Sequence, residues 1–293
     1  MEDYLPEGRM LTSAENREAT KDLDALAETM QQHSIAEGMV LRCDKNQTLY
    51  IKLGDRVGII PREEAALGLS EGTVSEFSVL NRVGKPVAFH VIALEANGGT
   101  ITPILSRKSA QLEALAYLRS LPIGTVIPAT VTHMEQFGAF VDVGCGLISM
   151  IPITNISTSR IHHPKQRFQV GQMIPVVFLG YDEDSRHILL SHRELLGTWE
   201  ENAAQFQVGD TVTGIVRGIK DYGIFIELTP NLTGLSEYRE GLEEDQMVSV
   251  FIKSIQPHKH KIKLNIIDIL DETVPFQPME YPPLPAKVEP WER

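Results

Sequence analysis

The sequence contains only two cysteines, few aromatic residues and no long apolar run. Cys43 and Cys145 fall in different predicted domains, so we expect neither a structural disulfide nor a multi-cysteine metal site. No window approaches the roughly 18 consecutive apolar residues that a membrane-spanning helix needs. The N-terminal residues, MEDYLPEGRM, are acidic and polar, whereas a signal peptide is basic and then apolar. These absences predict a cytoplasmic protein with no membrane partner.

Motifs of common enzyme classes are also missing. The sequence has no GxxxxGK[ST] phosphate-binding loop, no GxSxG nucleophile motif and no HExxH zinc motif. Nine histidines are present, but His162 and His163 are adjacent, and His258 and His260 alternate with lysines, a spacing that is not typical of metal ligands. We therefore expect a protein that is not an enzyme, with no catalytic residue, no metal and no cofactor.

A surplus of basic residues, which usually accompanies nucleic-acid binding, is absent as well. The formal net charge is −12, and phosphate neutralisation by Lys and Arg supplies most non-specific affinity for nucleic acids. Most of the excess acid lies before residue 36, in 194–207 and after residue 268, whereas 122–193 contains equal numbers of acidic and basic residues. The predicted globular parts are near neutral, so the acidic total does not exclude an RNA partner.

An internal repeat is the clearest feature that is present. The segment 124–143, GTVIPATVTHMEQFGAFVDV, matches 209–228, GDTVTGIVRGIKDYGIFIEL, and a weaker copy begins at Gly38. The starts of the copies are about 85 residues apart. Within each copy, short runs rich in Val, Ile and Phe are broken by Gly, Pro, Asn and Asp, which predicts the short strands of a small β-barrel.

Helical patterns separate the copies. The sequence TWEE at Thr198–Glu201 is a capping box that predicts the start of a connector helix, and Thr12 with Glu15 predicts the start of an N-terminal helix with a stripe of Ala19, Leu23, Leu26 and Met30. In 106–121 the residues at helical spacing are Leu112, Leu115 and Leu118. The predicted organisation is an N-terminal helical segment 1–35, a degenerate barrel 36–105 (the first domain), a connector helix 106–121, a barrel 122–193 (the second domain), a connector helix 194–207, a barrel 208–268 (the third domain) and a proline-rich tail 269–293, extended or disordered.

Alternation within each copy places one aromatic residue on the outer face of the barrel. In the second domain Ala139, Val141 and Val143 are predicted to face the core, which turns Phe140 and Asp142 outward. The same pattern directs Phe225 and Glu227 outward in the third domain, and Tyr50 and Lys52 in the first. A single exposed ring commonly covers a neighbouring apolar patch. Three rings at equivalent positions favour a binding role instead.

The glycines of FGAF and YGIF extend this prediction. A glycine within a strand often marks a bulge that changes the face of the preceding residue, so Phe137 can join Phe140 and Tyr222 can join Phe225. We refer to these as the second-domain and third-domain aromatic pairs. Each base stacked on such a ring contributes roughly 1–3 kcal/mol with little dependence on sequence. Stacking does not require a basic protein, so these pairs are candidate sites for single-stranded nucleic acid.

Basic residues follow the aromatic pairs at two places. In the second domain they lie in the loop after NIS and in a predicted hairpin turn, and in the third domain they lie in the tract HKHKIK; a solvated turn would have the same composition. These candidates for phosphate contacts are Arg160, His162, His163, Lys165, Arg167, Arg186 and His187 in the second domain, and Lys259, Lys261 and Lys263 in the third.

These motifs together resemble the S1 RNA-binding domain, a five-stranded barrel of the OB type named after a multi-domain protein of the bacterial small ribosomal subunit. The matching motifs are QFGAFVDVG…GLI in 136–148, DYGIFIEL…TGL in 221–235, and closing strands that end in LS or LN. The resemblance is strong in the second and third domains and faint in the first. It implies a mainly β fold of three tandem five-stranded OB-fold barrels, joined by short connector helices and preceded by an N-terminal helix.

The resemblance also implies RNA binding through Phe137, Phe140, Tyr222 and Phe225, assisted by basic residues of the closing hairpin. The chain departs from the family pattern at four places. Ser149 and Glu237 replace a histidine after the GL step. Gln256 replaces an aspartate near the last turn, which the second domain keeps as Asp182, and Leu189 replaces the basic residue that the third domain keeps as Lys263. Glu237 would repel phosphate. The second domain is therefore the best candidate site, and the first domain is expected to be chiefly structural.

The predicted function is binding of single-stranded RNA, specifically mRNA, in translation, with the small ribosomal subunit as a further partner. The alternative is a protein-docking or RNA-chaperone adaptor that acts off the ribosome or with an RNA-degradation complex. The candidate RNA-binding residues are Phe137, Phe140, Arg160, His162, Lys165, Arg186, His187, Tyr222, Phe225, Lys261, Lys263 and Tyr50.

Overall fold

The computed structural model describes residues 4–273, Met279, Tyr281 and 283–291. These residues form three five-stranded sheets with short helices before and between them. The described residues divide into two compact units: one comprises the chain up to Leu121 with 128–130 and 142–149, and the other comprises 122–127, 131–141 and the described residues from Met150 onward. No described helix is long and apolar enough to cross a membrane.

The first domain is a closed barrel with the strand order β1-β2-β3-β5-β4. Its core is formed by inward side chains such as Leu49, Ile51 and Phe89, all fully buried. Helices α1 (Ala14–Ala19) and α2 (Leu23–Gln31) of the N-terminal segment precede it, and its own elements are β1 (Ala36–Cys43), β2 (Leu49–Leu53), β3 (Arg56–Ile60), α3 (Phe77–Leu80), β4 (Pro86–Asn97) and β5 (Thr100–Ser106).

The N-terminal segment contains two helices where the sequence predicted one. The Ser13 hydroxyl, rather than that of Thr12, caps α1 by accepting from the Asn16 amide. The chain then breaks, and the Asp22 carboxylate caps α2 by accepting from the Ala25 amide at 2.8 Å. A strong capping residue inside a helical pattern starts a new helix because it satisfies amide groups that would otherwise lack partners.

Connector helix α4 (Arg107–Ser120) buries a different face from the one predicted. Leu118 is buried, but Leu112 is 48% exposed, and the helix instead packs through Ala110 and Ala114. Both alanines contact the buried Ala88 of β4 in a small apolar cluster. Small side chains allow the helix to approach the sheet closely. This close packing, rather than burial of the larger Leu112, determines which face of α4 is buried.

The second domain is a five-stranded sheet with the order β10-β9-β6-β7-β8, which is open between β8 and β10. The predicted five strands are therefore present in all three domains, and the sheet closes into a barrel in the first and third. Asn155, just after β8, bridges the opening: its side-chain amide donates to the Leu190 carbonyl at 3.1 Å, and its carbonyl accepts from the His192 amide at 2.8 Å. The strands are β6 (Val126–Glu135), β7 (Gly138–Asp142), β8 (Ile148–Pro152), β9 (Met173–Asp182) and β10 (His187–Ser191).

The third domain is again a closed barrel, with the order β11-β12-β13-β15-β14 and a parallel contact between β13 and β15. The connector helix α5 (Trp199–Ala203) precedes it and begins at the predicted capping box of Thr198 and Glu201. Its strands are β11 (Thr211–Lys220), β12 (Gly223–Thr229), β13 (Leu232–Ser236), β14 (Gln246–Gln256) and β15 (Lys261–Thr273).

Two parts of the C-terminal region are hydrogen-bonded to strands of the same chain. Strand β15 continues to Thr273, beyond the predicted boundary at 268. Further along, the described residues run beside the start of β6: the Val126 amide donates to the Ala286 carbonyl at 3.0 Å, and the Val288 amide donates to the Gly124 carbonyl at 2.9 Å. Residues 274–278, 280, 282, 292 and 293 of the predicted tail lie outside the described residues.

Candidate nucleic-acid interface

The second-domain aromatic pair lies at the start of β7. Phe137 precedes the strand and is 57% exposed, while Phe140 lies within the strand and is half-buried. The ring centroids are 6.0 Å apart and the ring planes meet at 85°, an edge-to-face arrangement. Gly138 between them is required by space, because a Cβ atom there would lie 2.5 Å from the Ile151 carbonyl oxygen. The glycine lets the chain turn closely over β8 and present both rings.

The third-domain aromatic pair repeats this geometry. Tyr222 is 70% exposed, Phe225 is half-buried, and their centroids are 6.1 Å apart at 89°. Gly223 has a φ of +152°, and a Cβ atom there would lie 2.5 Å from the Ser236 carbonyl oxygen. In both domains, a glycine that packs closely against the neighbouring strand therefore positions the aromatic pair. Two rings held by backbone geometry lose little conformational freedom when a base stacks on them.

A line of outward side chains extends from the third-domain pair across neighbouring strands. Phe225 on β12 is directly opposite Leu235 on β13, and Leu235 is paired with Lys263 on β15. Opposed residues of neighbouring strands point to the same face, and both Leu235 and Lys263 are exposed. Lys263 is therefore on the same face as the rings, two strands away.

The alternation of the sequence predicted the core side chains of these strands correctly but not the two carboxylates. Asp142 and Glu227, expected to face solvent, are 4% and 5% exposed. Asp142 accepts backbone amide protons from Glu7, Gly144 and Gly146 at 2.8, 2.9 and 3.1 Å. Glu227 binds two arginines. A carboxylate is buried only where such partners replace water. One partner of each carboxylate, Glu7 for Asp142 and Arg167 for Glu227, is distant in the sequence.

Tyr50, the aromatic candidate of the first domain, is not open to stacking on both faces. The Arg42 guanidinium lies 3.3 Å from its ring centroid, and its hydroxyl donates to the Asp44 carboxylate at 3.2 Å. A guanidinium over an aromatic face is itself favourable. This ring is already paired within the protein.

The basic loop of the second domain contacts the third domain rather than standing free. Arg167 is 3% exposed and binds the Glu227 carboxylate, which also accepts from Arg217 at 2.9 Å. The Nε2 atom of the half-exposed His162 is 3.2 Å from the Glu244 carboxylate. Ser159, in the same loop, donates its amide to the Pro230 carbonyl at 3.2 Å. Only part of the loop is available to a ligand.

The remaining basic candidates are exposed but do not form one cluster with both pairs. Arg160 and Lys165 are exposed in the same loop; Arg186, with a φ of +57°, and His187 are exposed at the turn between β9 and β10; and Lys259, Lys261 and Lys263 are exposed at the start of β15. His163 is half-buried, and its Nδ1 accepts from the Lys165 amide. In the third domain, the exposed Glu237 is 3.6 Å from Lys253, so part of its charge is neutralised.

One residue beside the second-domain pair was missed by the sequence analysis. The His133 ring on β6 lies 4.9 Å from the Phe140 ring at 75°, and its Nε2 is 3.2 Å from the Glu135 carboxylate. Uninterrupted alternation after Ile127, Ala129 and Val131 would turn His133 inward. Its exposed side chain shows that the alternation changes here.

Among the described residues, no group of His, Cys, Asp and Glu could hold a metal ion.

The second domain is similar to a known protein family. Residues 120–193 match the family model of the S1 RNA binding domain. By this match the second domain is S1-like. The resemblance inferred from the FGAF and GLI motifs is thereby confirmed, as is the mainly β, OB-type fold.

This chain is also similar to several whole proteins. Small ribosomal subunit protein bS1 of Staphylococcus aureus (strain COL) is 29% identical over 276 residues, covering 88% of this chain and 68% of that protein. Protein bS1 of Rhizobium meliloti (strain 1021) is 28% identical over 204 residues, covering 64% of this chain and 35% of that protein. A multidomain protein with nucleic acid binding domains from Streptococcus pneumoniae covers 80% of this chain and 73% of its own, with a TM-score of 0.25 and 14% identity.

Proposed function

We propose that this chain binds single-stranded RNA by stacking bases on the two aromatic pairs, and that it acts in translation without catalysing a reaction. The main support is the repeated edge-to-face pair, whose outer rings, Phe137 and Tyr222, are 57% and 70% exposed. Exposed aromatic rings at equivalent positions of two small barrels provide the surface on which unpaired bases stack. The S1 domain match supports RNA as that ligand.

We propose mRNA as the RNA class and the cytoplasm as the location, because the similar full-length proteins are small-subunit ribosomal proteins. The aromatic pairs favour unpaired RNA, since bases must be unstacked from one another to meet a ring. Exposed Arg160, Lys165 and Lys263 are available to contact phosphates, and Lys263 lies on the same face as the third-domain pair. Tyr50 is proposed to contribute little, because Arg42 covers its ring.

A binding assay with ring variants tests the stacking proposal. Phe140→Ala combined with Phe225→Ala should weaken binding of an unstructured oligoribonucleotide by at least about tenfold, since each lost stack costs roughly 1–3 kcal/mol. These two rings are half-buried, so the exposed rings provide a second variant, Phe137→Ala with Tyr222→Ala, in which loss of the fold is not expected. Gel shift or fluorescence titration gives the affinities.

Tyr50→Ala is the matched control, because it removes an aromatic ring of the same family position that is already paired with Arg42. The affinity of Tyr50→Ala for the oligoribonucleotide should stay within about twofold of the affinity of the unchanged chain. If both double variants bind RNA as tightly as the unchanged chain does, stacking on these pairs is excluded.

An adaptor role off the ribosome is the second candidate, favoured by the first domain. The Tyr50 ring is covered by Arg42, while the apolar side chains of Phe77, Leu80 and Val83 are 74%, 43% and 44% exposed. Co-sedimentation with small ribosomal subunits from the native host separates the two roles. Association with the subunit supports the translational role, whereas RNA binding without association supports an RNA chaperone or an adaptor of an RNA-degradation complex.

A further inference from the structure

The three domains differ at one structural position beside their outward aromatic residue. In β1 the pairing register shifts between Val40 and Arg42, so that Arg42 is opposite Tyr50. In β11 it shifts between Val216 and Gly218, so that Gly218 is opposite Phe225. His133 occupies this position in the second domain, since its ring contacts Phe140 and it aligns with Gly218 in the repeat. A bulge of this kind turns the next residue toward the outer face.

The side chain at this position determines what each ring can offer to a ligand. Arg42 covers the Tyr50 ring at 3.3 Å. At Gly218 there is open space beside Phe225: a Cβ atom would have only ordinary contacts, at 3.8 and 4.0 Å, with that ring. His133 extends the Phe140 surface edge-on and remains 52% exposed. The second-domain pair is therefore the one whose ring surface is enlarged by a polar aromatic side chain.

Glu135 adds a hydrogen-bonding group to this surface. It follows His133 by two residues on β6, is 52% exposed, and its carboxylate is 3.2 Å from Nε2 of His133. The contact involves one carboxylate oxygen of Glu135, which leaves the second oxygen to accept a hydrogen bond from a ligand. The repeat places Lys220 at the equivalent position of the third domain, and a lysine side chain donates hydrogen bonds but cannot accept them.

We infer that His133 and Glu135 make the second domain selective for bases with an exocyclic amino group, an inference that rests on the proposed RNA binding at this pair. Stacking alone tolerates every base, whereas selectivity arises from hydrogen bonds to base edges. A carboxylate only accepts hydrogen bonds. Cytosine offers an amino donor where uracil has a carbonyl acceptor, so a base stacked on Phe140 beside Glu135 is favoured as cytosine over uracil.

Cytidine and uridine oligomers form the sharpest test, because the two pyrimidines have the same ring size and differ at this edge. The unchanged chain should bind a cytidine dodecamer about three- to tenfold more tightly than a uridine dodecamer, the effect of about one added hydrogen bond. Glu135→Gln and His133→Ala should each bring the ratio close to one while binding to uridine is kept. Both residues are half-exposed on the surface, so neither change should unfold the protein.

Two further variants complete the experiment. Glu95→Gln makes the same chemical change at an exposed position of the first domain and should leave the ratio unchanged. Gly218→His with Lys220→Glu rebuilds the second-domain surface in the third domain and should raise the cytidine preference. Equal affinity of the unchanged chain for the two oligomers, or a preference that persists in Glu135→Gln, would overturn the inference. Absence of binding to either oligomer would instead contradict the proposed function.

Discussion

His192 shows how burial of a single residue sets its chemistry. Its ring is fully buried against Phe168, at 4.9 Å. Burial lowers the pKa of His192 to about 4, so the ring is neutral near pH 7. The Nδ1–H group then donates to the Ile156 carbonyl at 2.9 Å, and Nε2 accepts from the Tyr281 hydroxyl at 2.8 Å. A neutral imidazole is the form that can serve both partners at once.

A pH-dependent loss of stability follows from this histidine. Its pKa is about 4 in the folded state and about 6.5 in an unfolded chain. Between these values the unfolded chain binds more protons, so the contribution to stability is complete above pH 6.5 and is lost as the pH falls toward 4. The loss is roughly 3 kcal/mol in total. The free energy of unfolding, measured with urea, should be lower at pH 5 than at pH 7.5 in the unchanged chain. His192→Gln should largely remove this difference.

The comparison with the variant is essential because other buried groups act in the opposite direction. Burial raises the pKa of Glu37 to about 7, and a carboxyl group with a raised pKa favours the folded state as the pH falls. The signal should therefore be tryptophan fluorescence, since both tryptophans, Trp199 and Trp291, belong to the same compact unit as His192. An identical pH dependence in the unchanged chain and in His192→Gln would contradict a buried neutral histidine.

At the scale of elements, a buried ion network joins the loop before β9 to strands β11 and β12. Glu227 on β12 accepts from Arg217 on β11 at 2.9 Å and binds Arg167 of the loop, and Arg217 also binds Asp245 at 2.5 Å. Glu227, Arg167 and Arg217 are each at most 6% exposed. Charges buried in this way are stable only together, because water cannot replace a missing partner.

Removal of the central carboxylate should therefore destabilise this compact unit. Glu227→Gln leaves Arg167 buried without its counter-charge, which typically costs about 3–5 kcal/mol. The midpoint of urea unfolding, followed by tryptophan fluorescence, should fall accordingly. The matched control is Glu237→Gln, which breaks the exposed pair with Lys253 at 3.6 Å and should cost less than about 1 kcal/mol. Similar midpoints for the two variants would mean that the network contributes no more than a surface ion pair.

At the scale of the whole molecule, the acidic total and the limited supply of free cations determine how RNA binding responds to salt. The net charge is −12, and Arg167 and Arg217 are occupied by carboxylates of the protein. Few cations therefore remain near the aromatic pairs, so most of the affinity must come from stacking.

A shallow salt dependence is expected as a result. A plot of log affinity for single-stranded RNA against log salt concentration should have a slope that corresponds to about three or four phosphate contacts, at roughly −0.7 per contact. Titrations between about 50 and 200 mM salt measure it. Lys263→Gln should reduce the slope by about one contact, while Phe140→Ala should weaken binding without changing the slope. A slope equivalent to 6–10 contacts would contradict binding dominated by stacking.

The sequence alone determined the features that depend on neighbours along the chain. The repeat gave the number of domains, alternation placed Val141 and Ile226 in the core, and the glycines of FGAF and YGIF predicted paired rings. The capping box at Thr198 fixed the start of α5 for the same reason, since all of its partners lie within one turn.

Tertiary structure decided the features that depend on distant partners. Glu227 is buried because Arg167, 60 residues away, reaches it, and no local pattern contains that information. His133 lies on the outer face because the alternation of β6 changes before it, at the place where the equivalent strands β1 and β11 carry a bulge. A bulge depends on how two strands pair, so the sequence of one strand cannot specify which side chain stands beside the stacking ring.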